Sequence, residues 1–322
     1  MAISAPNATR ASARKYFPIN LDTLRADKLL TFDLYISIEG EMVLYGEKSL
    51  PLSGEGRKRL LDSKVQQVYV DEAQRHQVLA YMEQELPLLL HDDRIQPLEK
   101  ASIMYTTAKV IVEEVFERPT VVGNIKRTEA LVRNTVSFLT SGAEAFRNLV
   151  LLSDQDYTLH SHSVNVCTFA LGLGQGAGIH DPPELQALGV GAILHDVGKT
   201  RIDTRVMRKR APLSHEEFEL MKRHVELGVD VLKETDAIQP MAYIPVLQHQ
   251  EREDGTGYPG GLKGDEIHIF GKITGIADVF DAMTTSRVFS DATPTFDAFK
   301  MMLSMPLDLG LVRKFIRLLG SP

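Results

Sequence analysis

The chain has 322 residues, of which 43% are hydrophobic and 25% are charged, and its formal net charge at pH 7 is −7. This composition is typical of a folded globular protein, and the length predicts roughly two domains. The acidic charge disfavours a DNA-binding protein, and no apolar run has the length of a membrane span. The only cysteine, Cys167, excludes a disulfide within the chain and favours a cytoplasmic location.

The N-terminal part predicts a flexible tail followed by a small α/β domain. Residues 1–16 are rich in Ala, Ser and Asn and form the predicted tail. Residues 17–90 contain short apolar runs that predict a hairpin turning at Glu39-Gly40, a further strand and two helices. Because this segment carries no cofactor signature, we expect a regulatory or dimerising module.

The rest of the chain predicts helices. Residues 91–152 form a predicted connector of two helices, near Ile95–Phe116 and Lys126–Leu152. We expect these helices to form a homodimer interface, and ordinary core helices are the alternative. Residues 153–322 predict a mainly helical domain with one continuous helix over His215–Leu232, which makes the whole chain α+β.

Eight of the ten histidines lie between His160 and His268. His195-Asp196 follows an apolar helix and precedes Gly198, which is typical of a helix end. A carboxylate buried beside an imidazole is unfavourable unless a cation compensates it, although a solvated pair is the alternative for this dipeptide alone. Other His and Asp residues in apolar segments favour a divalent metal, because imidazole and carboxylate together suit iron, manganese, zinc or nickel. These other residues are His162, His224, His249 and Asp278.

The order of these motifs resembles the HD-GYP branch of the HD-domain phosphohydrolases. The shared segments are His195-Asp196, Gly198-Lys199, His224, Glu251–Pro259 and Asp278–Ala282. The resemblance covers Asp156 to Gly320 and implies that residues 153–322 form an all-helical domain. It also implies hydrolysis of cyclic di-GMP to linear pGpG or to GMP in bacterial signalling.

The resemblance implies a centre of two or three divalent ions. Iron or manganese is expected, with zinc, nickel or magnesium as alternatives. Two ions together lower the pKa of an attacking water and clamp phosphoryl oxygens during in-line attack. The implied metal ligands are His162, His195, Asp196, His224, His249 and Asp278. Asp196 would bridge both ions, and Asp196 and Lys199 are the predicted catalytic residues.

The resemblance further implies the residues that contact cyclic di-GMP. They are Lys199, Lys209, Arg287, Gly257, Tyr258 and Pro259. The basic segment from Lys199 to Arg210 would attract phosphate, and a solvated basic face is the alternative. The Gly-Tyr-Pro loop is also expected to dock a signalling protein.

Three positions depart from the family pattern. Gln250 stands where the family has a second consecutive histidine, and an amide is a much weaker ligand for these metals than imidazole. Thr158 stands where an acidic residue supports a third ion, whereas Asp156 precedes His160 by four residues and leaves His160 as an alternative ligand. Ser290 replaces a phosphate-binding cation.

These departures predict two ions rather than three. The second ion is expected to be held more weakly because Gln250 replaces a histidine. The leading function is a cyclic di-GMP phosphodiesterase whose activity could be reduced. The alternatives are a catalytically weak receptor or protein-interaction module, and a hydrolase of another cyclic dinucleotide. The remaining clustered histidines, His180, His215 and His268, are expected to be surface or loop residues.

Overall fold

A computed structural model of the chain describes residues 14–153, 158–209, 211–286 and 292–320. Most of the predicted tail lies outside these ranges, and so do Asp156, Arg210, Arg287 and Ser290. The chain divides into two compact units between Glu85 and Leu86. No helix among the described residues has both the length and the apolar character needed to cross a membrane.

The first unit contains a four-stranded antiparallel sheet with the strand order β1-β4-β2-β3. Its strands are β1 (Tyr16–Asn20), β2 (Leu34–Ile38), β3 (Glu41–Gly46) and β4 (Gln67–Asp71). β2 and β3 form the predicted hairpin, and Glu39 and Gly40 of its turn both have positive φ. Helix α1 (Gly54–Asp62) begins after Ser53, whose side chain accepts a hydrogen bond from a backbone N–H of the first turn.

Helices make up the rest of the described chain, so the predicted α+β class is confirmed. They are α2 (Arg75–Leu90), α3 (Pro97–Glu117), α4 (Val122–Thr140), α5 (Ala143–Ser153), α6 (Leu159–Ala177), α7 (Pro182–Leu194), α8 (Thr204–Met207), α9 (His215–Lys222), α10 (His224–Lys233), α11 (Tyr243–Gln248), α12 (Ile269–Thr284), α13 (Thr295–Met302) and α14 (Leu309–Gly320). A short 3₁₀ turn, Val197–Arg201, follows α7.

Two segments that the sequence predicts as single helices each form two helices. Both predictions are therefore wrong at the residue where the first helix ends. The segment Lys126–Leu152 is interrupted after Thr140, where the hydroxyls of Thr140 and Ser141 donate to carbonyls of the preceding turn and Gly142 follows. The segment His215–Leu232 is interrupted at Arg223, whose N–H donates to the carbonyl three residues earlier.

Close packing within the second unit fixes the helices that carry the histidines. α6 and α7 approach closely, since a Cβ added to Gly174 would lie 2.8 Å from Leu188 Cδ2. The ring centroids of Phe169 on α6 and Phe280 on α12 are 5.1 Å apart, and Phe315 of α14 lies 5.0 Å from Phe280. Because these rings hold α12 against α6, the polar residues on the same two helices face one another.

Candidate metal centre

The six side chains that the sequence predicts as metal ligands converge in one place. His162 lies on α6, His195-Asp196 directly follows α7, His224 begins α10, His249 directly follows α11, and Asp278 lies on α12. The four histidines and Asp196 are buried, and the side chain of Asp278 is 15% exposed. Helix ends therefore deliver most of the cluster, because a side chain at a helix end can face an interior shared by several helices.

Asp196 lies between two pairs of imidazole nitrogens. Its Oδ2 is 3.6 Å from His162 Nε2 and 3.4 Å from His195 Nε2. Its Oδ1 is 3.4 Å from His224 Nε2 and 3.9 Å from His249 Nε2. Each carboxylate oxygen thus has its own histidine pair, which is the arrangement that a ligand bridging two cations requires.

Asp278 joins the first of these pairs. Its Oδ1 is 3.2 Å from His162 Nε2 and 4.0 Å from His195 Nε2. The described residues contain three groups of potential metal ligands. Within each group, the ligand atoms all lie within 4.8 Å of one another. The groups are His162, His195 and Asp196; His195, His249 and Asp278; and Asp196, His224 and His249.

Backbone carbonyls orient three of the imidazole rings. In each ring Nδ1 faces a carbonyl oxygen of the preceding helical turn. The pairs are His195 with Ala192 at 2.7 Å, His224 with Met221 at 2.7 Å, and His249 with Pro245 at 3.0 Å. Because a carbonyl only accepts, Nδ1 carries the ring proton and Nε2 directs its lone pair into the cluster.

Metal binding requires neutral imidazoles and ionised carboxylates, and the surroundings favour these forms at four of the six side chains. Burial lowers the pKa of His224, and it lowers the pKa of His249 further with the help of the neighbouring imidazoles. Although burial opposes ionisation of Asp196, Lys199 and His195 hold the pKa of that carboxyl well below its usual range. Burial likewise opposes ionisation of Asp278, but the contact with His162 and the nearby His195 and His249 together lower the pKa of that carboxyl.

Two buried polar atoms indicate that the cluster fits a cation. His195 Nε2 and Asp196 Oδ1 have no hydrogen-bond partner among the described residues. An unpaired buried acceptor costs roughly 1–3 kcal/mol, and a divalent cation would satisfy both atoms at once. The imidazole and carboxylate donors therefore fit the implied metal in chemistry as well as in placement.

The predicted catalytic lysine lies beside the cluster. Lys199 is in the 3₁₀ turn after Asp196, and its ammonium group contacts Asp196 Oδ2. Its side chain is 21% exposed, so it lies between the buried carboxylate and solvent. Lys199 can therefore meet an anion that enters from solvent.

Gln250 and His160 are placed differently from metal ligands. Gln250 Nε2 donates a hydrogen bond of 3.0 Å to Asp278 Oδ2, so its amide supports a carboxylate of the cluster. The ring centroid of His160 is 6.0 Å from that of Phe116. His160 belongs to none of the metal-capable groups found in the described part of the chain, whereas His162 does.

The Gly-Tyr-Pro loop is held against the cluster by Glu251, which the sequence reasoning did not single out. The Glu251 carboxylate accepts hydrogen bonds from the N–H groups of Gly260 at 2.7 Å and Leu262 at 2.9 Å. The Tyr258 ring centroid is 6.3 Å from that of His224, and burial raises the pKa of Tyr258 to about 12. The Tyr258 hydroxyl therefore remains protonated at neutral pH and can act as a hydrogen-bond donor.

Gly257 fits this loop because it has no side chain. A Cβ at this position would lie 2.4 Å from the backbone nitrogen of Arg252. The backbone at Gly257 therefore packs so closely against the backbone near Arg252 that only glycine fits.

The predicted basic segment after Lys199 is less positive than its sequence indicates. Arg201 pairs with Glu234 at 3.0 Å and Arg205 pairs with Asp203 at 2.6 Å. Lys209 also contacts a carboxylate, that of Glu217. Glu234 and Glu217, which lie outside the segment, and Asp203 within it therefore neutralise part of its charge.

Comparison with known proteins places the cluster in a family. The family model described as "HD domain" matches residues 148–309, which is half of the chain. The cyclic di-GMP phosphodiesterase PA4108 of Pseudomonas aeruginosa is 28% identical over 229 residues, which cover 70% of this chain and 55% of that protein. The 3'3'-cGAMP-specific phosphodiesterase 2 of Vibrio cholerae is 42% identical over 99 residues, which cover 30% of this chain and 19% of that protein.

A solved structure extends the similarity to the fold. Bd1817 of Bdellovibrio bacteriovorus, described as a HDG"Y"P protein, matches with a TM-score of 0.71 and 26% identity over 95% of this chain and 100% of that one. The chain spans about half the length of its Pseudomonas aeruginosa relative and a smaller share of the Vibrio cholerae relative. With its family-model match and its ordered motifs, the chain belongs to the HD-domain family and is of the HD-GYP type.

Proposed function

We propose that this chain is a metal-dependent phosphodiesterase that hydrolyses cyclic di-GMP to pGpG or GMP. The observation that carries this proposal is the position of Asp196, whose two oxygens each face a separate pair of histidine Nε2 atoms. The name of the Pseudomonas aeruginosa relative, a cyclic di-GMP phosphodiesterase, supports the same substrate.

The chain offers enough ligands for two ions. His162, His195, Asp196 and Asp278 would hold the first ion, and Asp196, His224 and His249 would hold the second. We propose iron or manganese, which accept mixed imidazole and carboxylate ligands. When bound, two such ions lower the pKa of an attacking water and neutralise charge that develops on the phosphoryl oxygens.

Lys199 and Tyr258 supply the groups that meet the nucleotide. The Lys199 ammonium lies at the exposed side of Asp196, where it can hydrogen-bond a phosphate oxygen or protonate the leaving oxygen. The Tyr258 hydroxyl is held in its protonated form, and the centroid of its ring lies 6.3 Å from that of His224. Arg287 and Lys209 remain predicted phosphate contacts, and Lys209 would have to leave Glu217 to act as one.

The test is a hydrolysis assay on purified protein with Mn²⁺ or Fe²⁺ and cyclic di-GMP, with the products separated by anion-exchange chromatography. We expect pGpG or GMP from the wild type and none from His195→Ala, because His195 belongs to two of the metal-capable groups. His180→Ala is the matched control, since His180 is exposed and lies in the loop between α6 and α7. Absence of product from the wild type, or equal product from His195→Ala, would contradict the proposal.

A second cyclic dinucleotide is the alternative substrate. Two relatives are named as specific for 3'3'-cGAMP, and their matches cover 30% and 60% of this chain. Measuring kcat/KM for cyclic di-GMP and for 3'3'-cGAMP under the same conditions separates the two substrates. We expect the larger value for cyclic di-GMP, and the reverse order would assign the chain to the alternative.

A catalytically weak receptor is the other alternative, and Gln250 is the residue that favours it. Replacing Gln250 with His adds an imidazole next to Asp278, which Gln250 now contacts through its amide. We expect Gln250→His to bind Mn²⁺ about 10-fold more tightly and to hydrolyse the nucleotide faster. Equilibrium dialysis and initial rates measure both effects. Tight nucleotide binding without turnover in both proteins would instead favour the receptor.

The roles proposed for the rest of the chain follow from its sequence. Residues 17–90 would regulate the phosphodiesterase domain at 153–322, and residues 91–152 would connect the two and support a homodimer. Within the second unit, α3 buries ten residues of its own, among them Ile103, Val112 and Tyr105. The Gly-Tyr-Pro loop remains the proposed docking surface for a signalling protein.

A further inference from the structure

A second aspartate of α12 contacts His162 on the side of the ring that faces away from the cluster. Asp281 Oδ2 lies 2.6 Å from His162 Nδ1, and Asp281 is fully buried one helical turn after Asp278. Its other oxygen, Oδ1, accepts hydrogen bonds from Asn165 Nδ2 at 2.7 Å and from Thr285 Oγ1 at 3.1 Å. Both oxygens of Asp281 therefore act as acceptors.

Asn165 is oriented in turn by the residues around it. Its Oδ1 accepts a hydrogen bond of 3.0 Å from the hydroxyl of Tyr105 on α3, and its Nδ2 also donates to the carbonyl of Ser153 at 3.2 Å. Asn165 and Tyr105 are both buried. Because an amide has one acceptor end and one donor end, these contacts fix the donor end toward Asp281.

We propose that Asp281 is a positioning residue that sets the tautomer of His162. A carboxylate oxygen at this distance accepts, so His162 Nδ1 carries a proton and Nε2 is the ring nitrogen left to face the candidate metal centre. That Nε2 lies 3.2 Å from Asp278 Oδ1 and 3.6 Å from Asp196 Oδ2. Backbone carbonyls set the tautomers of His195, His224 and His249, whereas His162 depends on a side chain that can be replaced.

The substitution Asp281→Asn tests this role with little change in volume. Asn165 and Thr285 both donate toward Oδ1, so the new amide would keep its oxygen there and turn its NH₂ group toward His162. Since an NH₂ group donates, His162 Nδ1 would have to accept, and the ring proton would move to Nε2. A protonated Nε2 has no lone pair for a metal.

Thr285→Val is the matched control. It removes one hydrogen bond to the same carboxylate oxygen and disturbs the same buried region. It leaves the Asp281 carboxyl group itself unchanged, so His162 should keep its proton on Nδ1.

The experiment is long-range ¹H–¹⁵N NMR on metal-free protein with ¹⁵N-labelled histidine, recorded above the range in which imidazole titrates. His162→Gln identifies the signals of that ring. We expect a proton on His162 Nδ1 in the wild type and in Thr285→Val, and no proton on Nδ1 in Asp281→Asn. A wild-type Nδ1 without a proton, a proton on Nδ1 in Asp281→Asn, or loss of that proton in Thr285→Val would overturn the proposal.

Metal binding provides the second readout. We expect Asp281→Asn to bind Mn²⁺ about 10–100-fold more weakly than the wild type and Thr285→Val to bind it as the wild type does. The importance of this tautomer for a metal rests on the proposed function. The NMR measurement needs neither metal nor nucleotide, so a tautomer change without any hydrolysis would refute the proposed function alone.

Discussion

Asp196→Asn is expected to reduce hydrolysis of cyclic di-GMP at least about 10³-fold, which corresponds to about 4 kcal/mol of transition-state stabilisation. Both Asp196 oxygens face imidazole Nε2 atoms, and an amide would replace one of those acceptors with a donor. The charge that attracts both cations would also be lost. The variant should therefore lose bound metal as well as activity.

Metal analysis and initial rates on the same sample measure this effect, and the thermal midpoint establishes that the variant is folded. Asp203→Asn is the matched control. Asp203 lies seven residues after Asp196, is exposed, and pairs with Arg205 on the surface. We expect the control to keep wild-type metal content and activity. An Asp196→Asn protein with full metal content and rate would remove Asp196 from the proposed centre.

Gly198→Ala is expected to lower the free energy of unfolding by about 3 kcal/mol. A Cβ at this position would lie 1.9 Å from the carbonyl oxygen of His224 and 2.4 Å from the backbone nitrogen of Gly228. Both obstacles are backbone atoms of α10, so relief requires the whole helix to move. That movement would carry His224 away from Asp196, and we expect metal binding to weaken as well.

Urea denaturation of the metal-free proteins measures the change in stability without a contribution from bound metal. Gly176→Ala provides the comparison, because a Cβ there meets nothing within 4 Å and Gly176 lies within α6. Replacing a helical glycine by alanine in open space should stabilise the protein by about 0.5–1 kcal/mol. A Gly198→Ala protein as stable as the wild type would show that α10 is free to move away from the 3₁₀ turn.

The sequence predicted which residues form the cluster because each lies in an apolar segment where an isolated polar group is unfavourable. His162, Asp196 and Asp278 come from separate elements, yet each is surrounded in the sequence by core residues. The resemblance to the HD-GYP branch then supplied the order of the motifs. The structure brings all six predicted ligands together, since each belongs to at least one group whose ligand atoms lie within 4.8 Å of one another.

The residues that orient His162 and that neutralise the basic segment could not be predicted, because they lie far in the sequence from the residues they contact. Asp281 contacts His162, which lies 119 residues earlier, and nothing near Asp281 in the sequence indicates that pairing. The pairing of Arg201 with Glu234, 33 residues later, reduces the charge of the basic segment in the same way. Glu251 was visible within its motif, but its role depends on the path of the Gly-Tyr-Pro loop.

The helix breaks were missed for a local reason. Apolar periodicity continues across Ser141 and across Arg223, so the pattern alone predicts unbroken helices. Hydroxyl groups that bond to the preceding turn end α4, and a tighter backbone turn ends α9. The second of these breaks matters for the site, because it places His224 at the start of a new helix.

A titration of metal-free protein with Mn²⁺, with pGpG and GMP formation from cyclic di-GMP followed at each step, tests most directly whether the cluster is a two-metal centre. We expect no product without metal and a rate that rises until about two ions are bound per chain, as a two-metal site requires. Undiminished hydrolysis in the presence of a chelator, or no product at full metal occupancy, would contradict it.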